Sequence, residues 1–234
     1  MDKNELAKSF LELCDLVSRL RGPGGCPWDA KQTEETIKTY LLEEAYEVVD
    51  AVDQGDQEDL CHELGDLLFQ IIFISALAEE KGNFALVKVI KEITRKMVNR
   101  HPHVFGSVKA ASAEEVAENW VKIKKQERGL AEASSELMES VPSNLPALLR
   151  AHRLMERAGQ FTAGGRDMWS KAQDAFHKLS RVAAEKEGKA VKQEIGDLLF
   201  TLVGLAGQKG LNAEHVLREK NERFLNRFRK KPSL

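Results

Sequence analysis

Four acidic residues are placed symmetrically about one glycine of the 234-residue sequence. Glu44 and Glu47 precede Gly55, and Glu63 and Asp66 follow it at the same two separations. A chain reversal near Gly55 would set Glu47 level with Glu63, and it would set Glu44 level with Asp66. Four carboxylates in one place repel each other, and a hard divalent cation with oxygen ligands removes that penalty. The spacing therefore predicts a Mg²⁺ site, with Mn²⁺ as the alternative cation, and such a site is typical of phosphate chemistry.

Two amphipathic helices must carry these acids. The apolar spacing predicts one helix at 36–53 and a second at 57–80. Within each helix the two acids are three residues apart, so both project from one face. Acids at this spacing are also common on solvated helix faces. However, Asp66 lies among leucines, and a charge buried there needs a partner. The spacing alone leaves the metal site and the solvated face both open.

Glu43 lies beside Glu44 and is rotated from it by about 100° around the helix. Two interpretations remain open for it. It is either a base that holds or activates water, or a surface acid.

The whole chain is predicted to be all-α, because strand-like alternation is almost absent. It contains a repeat at an offset of 131 residues, with HELGDLLF at 62–69 and QEIGDLLF at 193–200. We therefore expect two tandem helical domains, at 1–130 and 147–234, joined by a linker at 131–146 that is rich in serine and proline.

The second copy of the repeat keeps only half of the acids. Glu194 and Asp197 are at the positions of the later pair, but Ala175 and Lys178 replace the earlier pair. Lys178 could neutralise Glu194 or Asp197. The second copy is thus predicted to have lost its metal.

Basic residues follow each repeat. Lys96 and Arg100 are four residues apart, as are Arg223 and Arg227, so each pair can present two cations from one helix face. Cations beside an acidic metal site are what a polyphosphate needs.

A loop rich in glycine and proline at 21–28 ends on Trp28. In one interpretation Asp29 caps a helix and Trp28 fills the core. In the other, the loop lines a nucleoside pocket.

The composition excludes several classes of partner. A net charge of −2 gives no electrostatic case for nucleic acid or an anionic membrane. Three cysteines are an odd count without metal-type spacing and indicate reduced thiols. No run reaches the roughly 18 apolar residues of a membrane span. We expect a cytoplasmic protein.

Taken together, the motifs resemble the MazG family of nucleoside triphosphate pyrophosphohydrolases. This family belongs to an all-α superfamily that also includes the dimeric dUTPases. They are GCPWD at 25–29, LEEAYEV at 42–48, ELGDLLFQ at 63–70 and RHPHVF at 100–105. The resemblance implies hydrolysis of nucleoside triphosphates to a monophosphate and pyrophosphate. It also implies a homodimer, in which dimerisation completes a four-helix-bundle core.

The resemblance also implies roles for individual residues. The metal ligands are Glu44, Glu47, Glu63 and Asp66. Water deprotonated with help from Glu43 attacks a phosphorus. The basic pair argued from its spacing, Lys96 and Arg100, is expected to bind the phosphates and offset the charge on the leaving pyrophosphate. Trp28 remains the candidate for contact with the nucleoside.

Departures from the family pattern fall on the C-terminal repeat, where the stretch aligned with E-E-x-x-E reads DAFHK. We therefore expect a catalytic N-terminal domain and a degenerate, structural C-terminal one. The competing hypothesis is a nucleotide-binding regulator without catalysis, in which the repeat is a dimerisation scaffold. The intact acids of the first copy argue against it.

Overall fold

Helices follow one another along the chain in the computed structural model, which describes residues 2–127, 135–159, 167–185 and 188–229. Within these ranges there is no strand, so the predicted all-α class is confirmed. The helices are α1 (Lys3–Arg21), α2 (Glu34–Gln54), α3 (Gln57–Glu80), α4 (Leu86–Arg100), α5 (Pro102–Phe105), α6 (Ala113–Glu127), α7 (Ser135–Glu139), α8 (Ala147–Arg157), α9 (Met168–Glu185), α10 (Gly188–Gln208) and α11 (Ala213–Arg229).

The chain reverses at Gly55, as the sequence predicts. Gly55 has a φ of 75° and its N–H donates to the carbonyls of Ala51 and Val52, which ends α2. This left-handed conformation suits glycine, which has no Cβ to clash. The Asp56 side chain then accepts hydrogen bonds from two backbone N–H groups and begins α3. α2 and α3 therefore form a tight helical hairpin.

The start of α2 differs from the expectation. Thr33 caps the helix, because its side chain accepts a hydrogen bond from the Thr36 N–H and the Thr36 hydroxyl accepts one from the Thr33 N–H. Asp29 instead begins a separate 3₁₀ turn, Asp29–Lys31. Asp29 thus starts a helical turn, but the residue at the N-cap of that turn is Trp28 and the Asp29 side chain caps none of the described helices.

The core of the first unit lies between α1, α2 and α3. Its buried side chains are Val17, Ile37, Ile72, Phe73 and Leu77. α4 contributes less, since none of its residues is buried. Leu86 packs against the core, but Val87, Ile90 and Ile93 are between 42% and 56% exposed.

Arg21, at the end of α1, contacts both α3 and the 3₁₀ turn. Its Nε and Nη2 donate to the two carboxylate oxygens of Glu80, each at 2.6 Å. Nη1 donates to the carbonyls of Asp29 at 2.6 Å and Gln32 at 3.5 Å. The guanidinium carbon is 5.1 Å from the centroid of the Phe73 ring. The side chain is 8% exposed, so α1, the 3₁₀ turn and α3 meet at one buried cation.

The backbone divides into two compact units, Met1–Trp120 and Val121–Leu234, and the division falls within α6. The linker expected at 131–146 contains α7, and its residues 131–134 lie outside the described part. The domain bounds proposed from the sequence therefore stay a prediction.

In the second unit, α9 and α10 lie where the 131-residue offset places them relative to α2 and α3. The same offset puts Gly204 at the position of Phe73. A Cβ on Gly204 would lie 2.1 Å from Met168 Cε and 2.9 Å from Met155 Sδ. Met155, Met168 and Val203 form the core of this unit. Methionines thus fill space that a phenylalanine fills in the first unit.

α3 is long and apolar enough to cross a membrane when only length and composition are considered. Its buried side chains, including Phe73 and Leu77, belong to the core described above. Its first half carries Glu63 and Asp66. We interpret it as a core helix.

Candidate acidic metal site

The hairpin brings three of the four acids to one place. Carboxylate oxygens of Glu44, Glu63 and Asp66 all lie within 4.8 Å of one another. Glu47 is outside this group, although its charge acts on Glu44 and Glu63. The turn at Gly55 and the three-residue spacing within each helix account for this convergence.

Mutual repulsion and partial burial disfavour ionisation of Glu44 and Glu63. Asp66 is exposed, so the expectation of a buried charge at that position is wrong. Burial raises the pKa of Glu44 most, and the charges of Asp66 and Glu47 raise it further. Burial likewise raises the pKa of Glu63, with additional contributions from Glu47, Asp59 and Asp66 and a small opposing effect of His62. The apo site therefore holds more negative charge than its surroundings stabilise.

The donor set fits a hard divalent cation. All the converging ligand atoms are carboxylate oxygens, which Mg²⁺, Mn²⁺ and Ca²⁺ prefer over nitrogen or sulfur. None of the four acids forms an ion pair within the part of the chain that the structure describes. A cation would supply the missing positive charge, and Glu44, Glu63 and Asp66, with Glu47 beside them, could hold it.

Gln70 is a residue of this site that the sequence analysis did not consider. It is 9% exposed, and its Nε2 donates to Glu44 Oε1 at 3.4 Å. This hydrogen bond lowers the pKa of Glu44, against the effect of burial. The sequence did carry a signal, because Gln70 is four residues after Asp66 and seven after Glu63 and so shares their helix face.

The residues expected to act in catalysis and phosphate binding lie outside the group of converging acids. Glu43 is exposed on α2 and has no hydrogen-bond partner among the described residues. Lys96 is exposed on α4. Arg100 lies with its guanidinium carbon 5.5 Å from the centroid of the Trp120 ring. No described contact joins Glu43 or Lys96 to the converging acids, so their roles stay predictions.

Trp28 does not fill the core, because it is 55% exposed. Its ring packs edge-on against Tyr40 of α2, with centroids 5.9 Å apart. The core interpretation of Trp28 is therefore wrong. An exposed indole leaves the alternative interpretation, a contact with a nucleoside, as a prediction.

The corresponding positions of the second unit lack a converging acid set among the described residues. Ala175 is buried, whereas Lys178 is exposed. Lys178 forms no ion pair with Glu194 or Asp197, all three of which the structure describes. The expectation that this lysine neutralises one of the acids therefore has no direct contact to support it among these residues, and it stays a prediction.

Comparison with known proteins gives consistent matches. The profile of the MazG nucleotide pyrophosphohydrolase domain matches residues 32–105, which contain the acidic site. A nucleoside triphosphate pyrophosphohydrolase of Escherichia coli (strain K12) is 39% identical over 223 residues, which make up 93% of this chain and 84% of that protein. In Thermotoga maritima, a nucleoside triphosphate pyrophosphohydrolase/pyrophosphatase MazG is 36% identical over 225 residues, or 96% of this chain and 86% of that protein. The crystal structure of a mazG-related protein from Thermotoga maritima matches with 32% identity and a TM-score of 0.43, and the match covers 49% of this chain and 97% of that one.

Proposed function

Because the chain belongs to the MazG family of nucleoside triphosphate pyrophosphohydrolases, we propose that it hydrolyses nucleoside triphosphates to a nucleoside monophosphate and pyrophosphate, with Mg²⁺ as cofactor. The reaction takes place at the acidic site of the first unit. The observation that carries the proposal is the convergence of Glu44, Glu63 and Asp66 within 4.8 Å. It lies inside the stretch that the family profile matches.

Each group of the site has a proposed part in the reaction. Glu44, Glu63 and Asp66, with Glu47, hold the cation, which when bound draws negative charge from the phosphate oxygens. Glu43 neighbours this set in sequence and forms no hydrogen bond with any residue that the structure describes, and it accepts a proton from the attacking water. Lys96 and Arg100 face the phosphates, and the exposed Trp28 contacts the nucleoside.

The proposed assembly is a homodimer. Apolar side chains on the α2–α3 hairpin are between 38% and 58% exposed, and a second hairpin would cover them in a four-helix bundle. They are Leu42, Tyr46, Val49, Val52, Leu64, Leu68 and Ile71. A monomer mass at micromolar concentration in sedimentation equilibrium would contradict this assembly. The cytoplasm is the proposed location, and neither nucleic acid nor membrane is a proposed partner.

The products of hydrolysis test the proposed reaction. With each nucleoside triphosphate and Mg²⁺, ³¹P NMR is expected to detect a monophosphate and pyrophosphate, and excess EDTA is expected to stop the reaction. Glu43→Gln is expected to lower kcat by about 10²- to 10⁴-fold, because general base catalysis contributes that much. Metal affinity should change little in this variant, because Glu43 is not among the converging oxygens.

Two other outcomes would contradict the proposal. Release of orthophosphate and a diphosphate would mean cleavage at a different bond. Tight nucleotide binding without any turnover would favour the regulator hypothesis, in which the hairpins are only a scaffold.

Removal of the proposed phosphate-binding cations is expected to lower kcat/KM for triphosphates. Lys96→Ala and Arg100→Ala should each cause a loss of roughly 10- to 150-fold, because each loses a charge-assisted contact worth roughly 1.5–3 kcal/mol with the phosphates. Binding of the monophosphate product should weaken less, since it lacks the phosphates that the cations face. Steady-state kinetics and product inhibition measure the two effects.

Lys91→Ala is the matched control for Lys96→Ala. Lys91 is also exposed on α4, and it points about 140° away around the helix. Equal weakening of triphosphate and monophosphate binding by Lys96→Ala would mean that the lysine supports the fold and does not contact the phosphates.

A further inference from the structure

Gln70 is held at the acidic site by one polar contact. Its Nε2 donates to Glu44 Oε1, and its carbonyl Oε1 is buried without a hydrogen-bond partner among the described residues. A carboxylate only accepts hydrogen bonds, and the nitrogen of a carboxamide only donates them. The amide orientation that points Nε2 at Glu44 is therefore the attractive one.

Stability of the fold does not explain this glutamine. A buried carboxamide loses its hydration at both ends, and an unpaired buried carbonyl retains that cost. The other buried side chains of α3 are apolar apart from Ser75, whose hydroxyl donates to the Ile71 carbonyl of the same helix. A leucine of similar size would fill the position without the cost. The side chain instead makes its hydrogen bond to an acid of the site.

The second unit provides an internal comparison. There the 131-residue offset puts Ala175 at the position of Glu44 and Thr201 at the position of Gln70. The Thr201 hydroxyl donates to the Asp197 carbonyl of its own helix at 2.7 Å, as helical threonines commonly do. The second unit thus lacks the carboxamide donor of Gln70 and also lacks its acceptor, the Glu44 carboxylate. It retains Glu194 and Asp197 at the positions of Glu63 and Asp66.

We propose that Gln70 is the positioning residue of the acidic site. Its Nε2 fixes the Glu44 carboxylate on the side that faces Glu63 and Asp66, and it thereby sets the affinity of the site for a divalent cation. Hydrogen bonds to ligand carboxylates have this effect in metalloproteins generally. The inference rests on the proposed binding of a cation by these acids, and it adds a residue that does not itself touch the cation.

The test measures Mn²⁺ binding to the full chain without nucleotide, by electron paramagnetic resonance and calorimetry. Gln70→Leu is expected to weaken Mn²⁺ binding about 10- to 100-fold. The Tm of the same variant without metal should be unchanged or higher, because the leucine removes an unpaired buried carbonyl. A merely structural glutamine would give the opposite pattern, a lower Tm with unchanged affinity. Thr201→Val, at the corresponding position of the second unit, should not change the affinity.

A double-mutant cycle with Glu44→Gln separates action through Glu44 from a general disturbance of the helix. In the Glu44→Gln background, Gln70→Leu is expected to change Mn²⁺ affinity less than twofold. An equal loss of affinity in both backgrounds would overturn the proposal, as would wild-type affinity in Gln70→Leu. If Gln70→Leu does not fold, Gln70→Met, which keeps the length of the side chain, takes its place in the cycle. Absence of Mn²⁺ binding by the unmutated chain would instead refute the metal site itself.

Discussion

Glu63→Gln is expected to eliminate pyrophosphate release, whereas Glu194→Gln should leave it essentially intact. Glu63 is one of three acids whose oxygens converge. Its replacement by glutamine removes both a negative charge and a carboxylate ligand atom from the proposed cation site. We expect a loss of roughly a thousandfold in kcat/KM, at the upper end for a single electrostatic contact in an active site. Glu194 lies in the second unit, where Ala175 and Lys178 stand at the positions of Glu44 and Glu47. Replacing Glu194 by glutamine is therefore expected to remove no group that the reaction uses.

The two variants control each other. Glu63 and Glu194 occupy corresponding positions on α3 and α10, both half-buried, and each substitution preserves the shape of the side chain. Pyrophosphate release is measured for both variants at saturating Mg²⁺, together with the Tm of each. An inactive Glu194→Gln beside an active Glu63→Gln would reverse the assignment of the catalytic unit.

Arg21→Met is expected to destabilise the first unit strongly. The methionine retains most of the apolar volume beside Phe73. It removes both hydrogen bonds to Glu80 and the donor to the Asp29 and Gln32 carbonyls. We expect the free energy of unfolding to fall by roughly 2–4 kcal/mol. Urea unfolding curves of the variant and the unmutated chain measure this difference. Since the 3₁₀ turn follows Trp28 directly, KM for the nucleotide should also rise.

Arg19→Met is the control, because Arg19 is exposed on the same helix and two residues away.

The pH dependence of stability gives a second measurement of the Arg21–Glu80 pair. The hydrogen bonds from Arg21 lower the pKa of Glu80 below its unfolded value, so this pair contributes stability above about pH 4. The contribution is lost as the pH falls through the folded-state pKa. The Tm difference between the unmutated chain and Glu80→Gln should therefore shrink in acid, and a constant difference would contradict the role of the pair.

The sequence predicts the hairpin well because its signals are local. Gly55 ends one helix, Asp56 caps the next, and the apolar period of α3 places its bounds correctly. Convergence of the acids follows from that geometry. The cap of α2 is hard to identify from sequence because Thr33 pairs with Thr36, where the usual signature has glutamate or glutamine.

Residues whose surroundings depend on tertiary packing could not be predicted in the same way. Trp28 is 55% exposed, and its one described ring contact is with Tyr40 of α2, a contact between segments that no periodicity describes. Gln70 is an ordinary helix former in sequence terms, and only its partner across the hairpin distinguishes it. Glycine, serine and proline mark where helices stop, whereas packing decides which helices group into one compact unit.

The turn at Gly55 has a consequence for how the site forms during folding. All the converging acids lie within residues 44–66, so the chain closes only a short loop to bring them together. Loop-closure entropy grows with loop length, and folds dominated by local contacts form fastest. Bringing the ligand set together therefore costs little loop-closure entropy, whereas covering the apolar face of the hairpin requires contacts from outside it. A site encoded in so short a segment is also copied whole when that segment is duplicated, and either copy can then lose its ligands without unfolding the other.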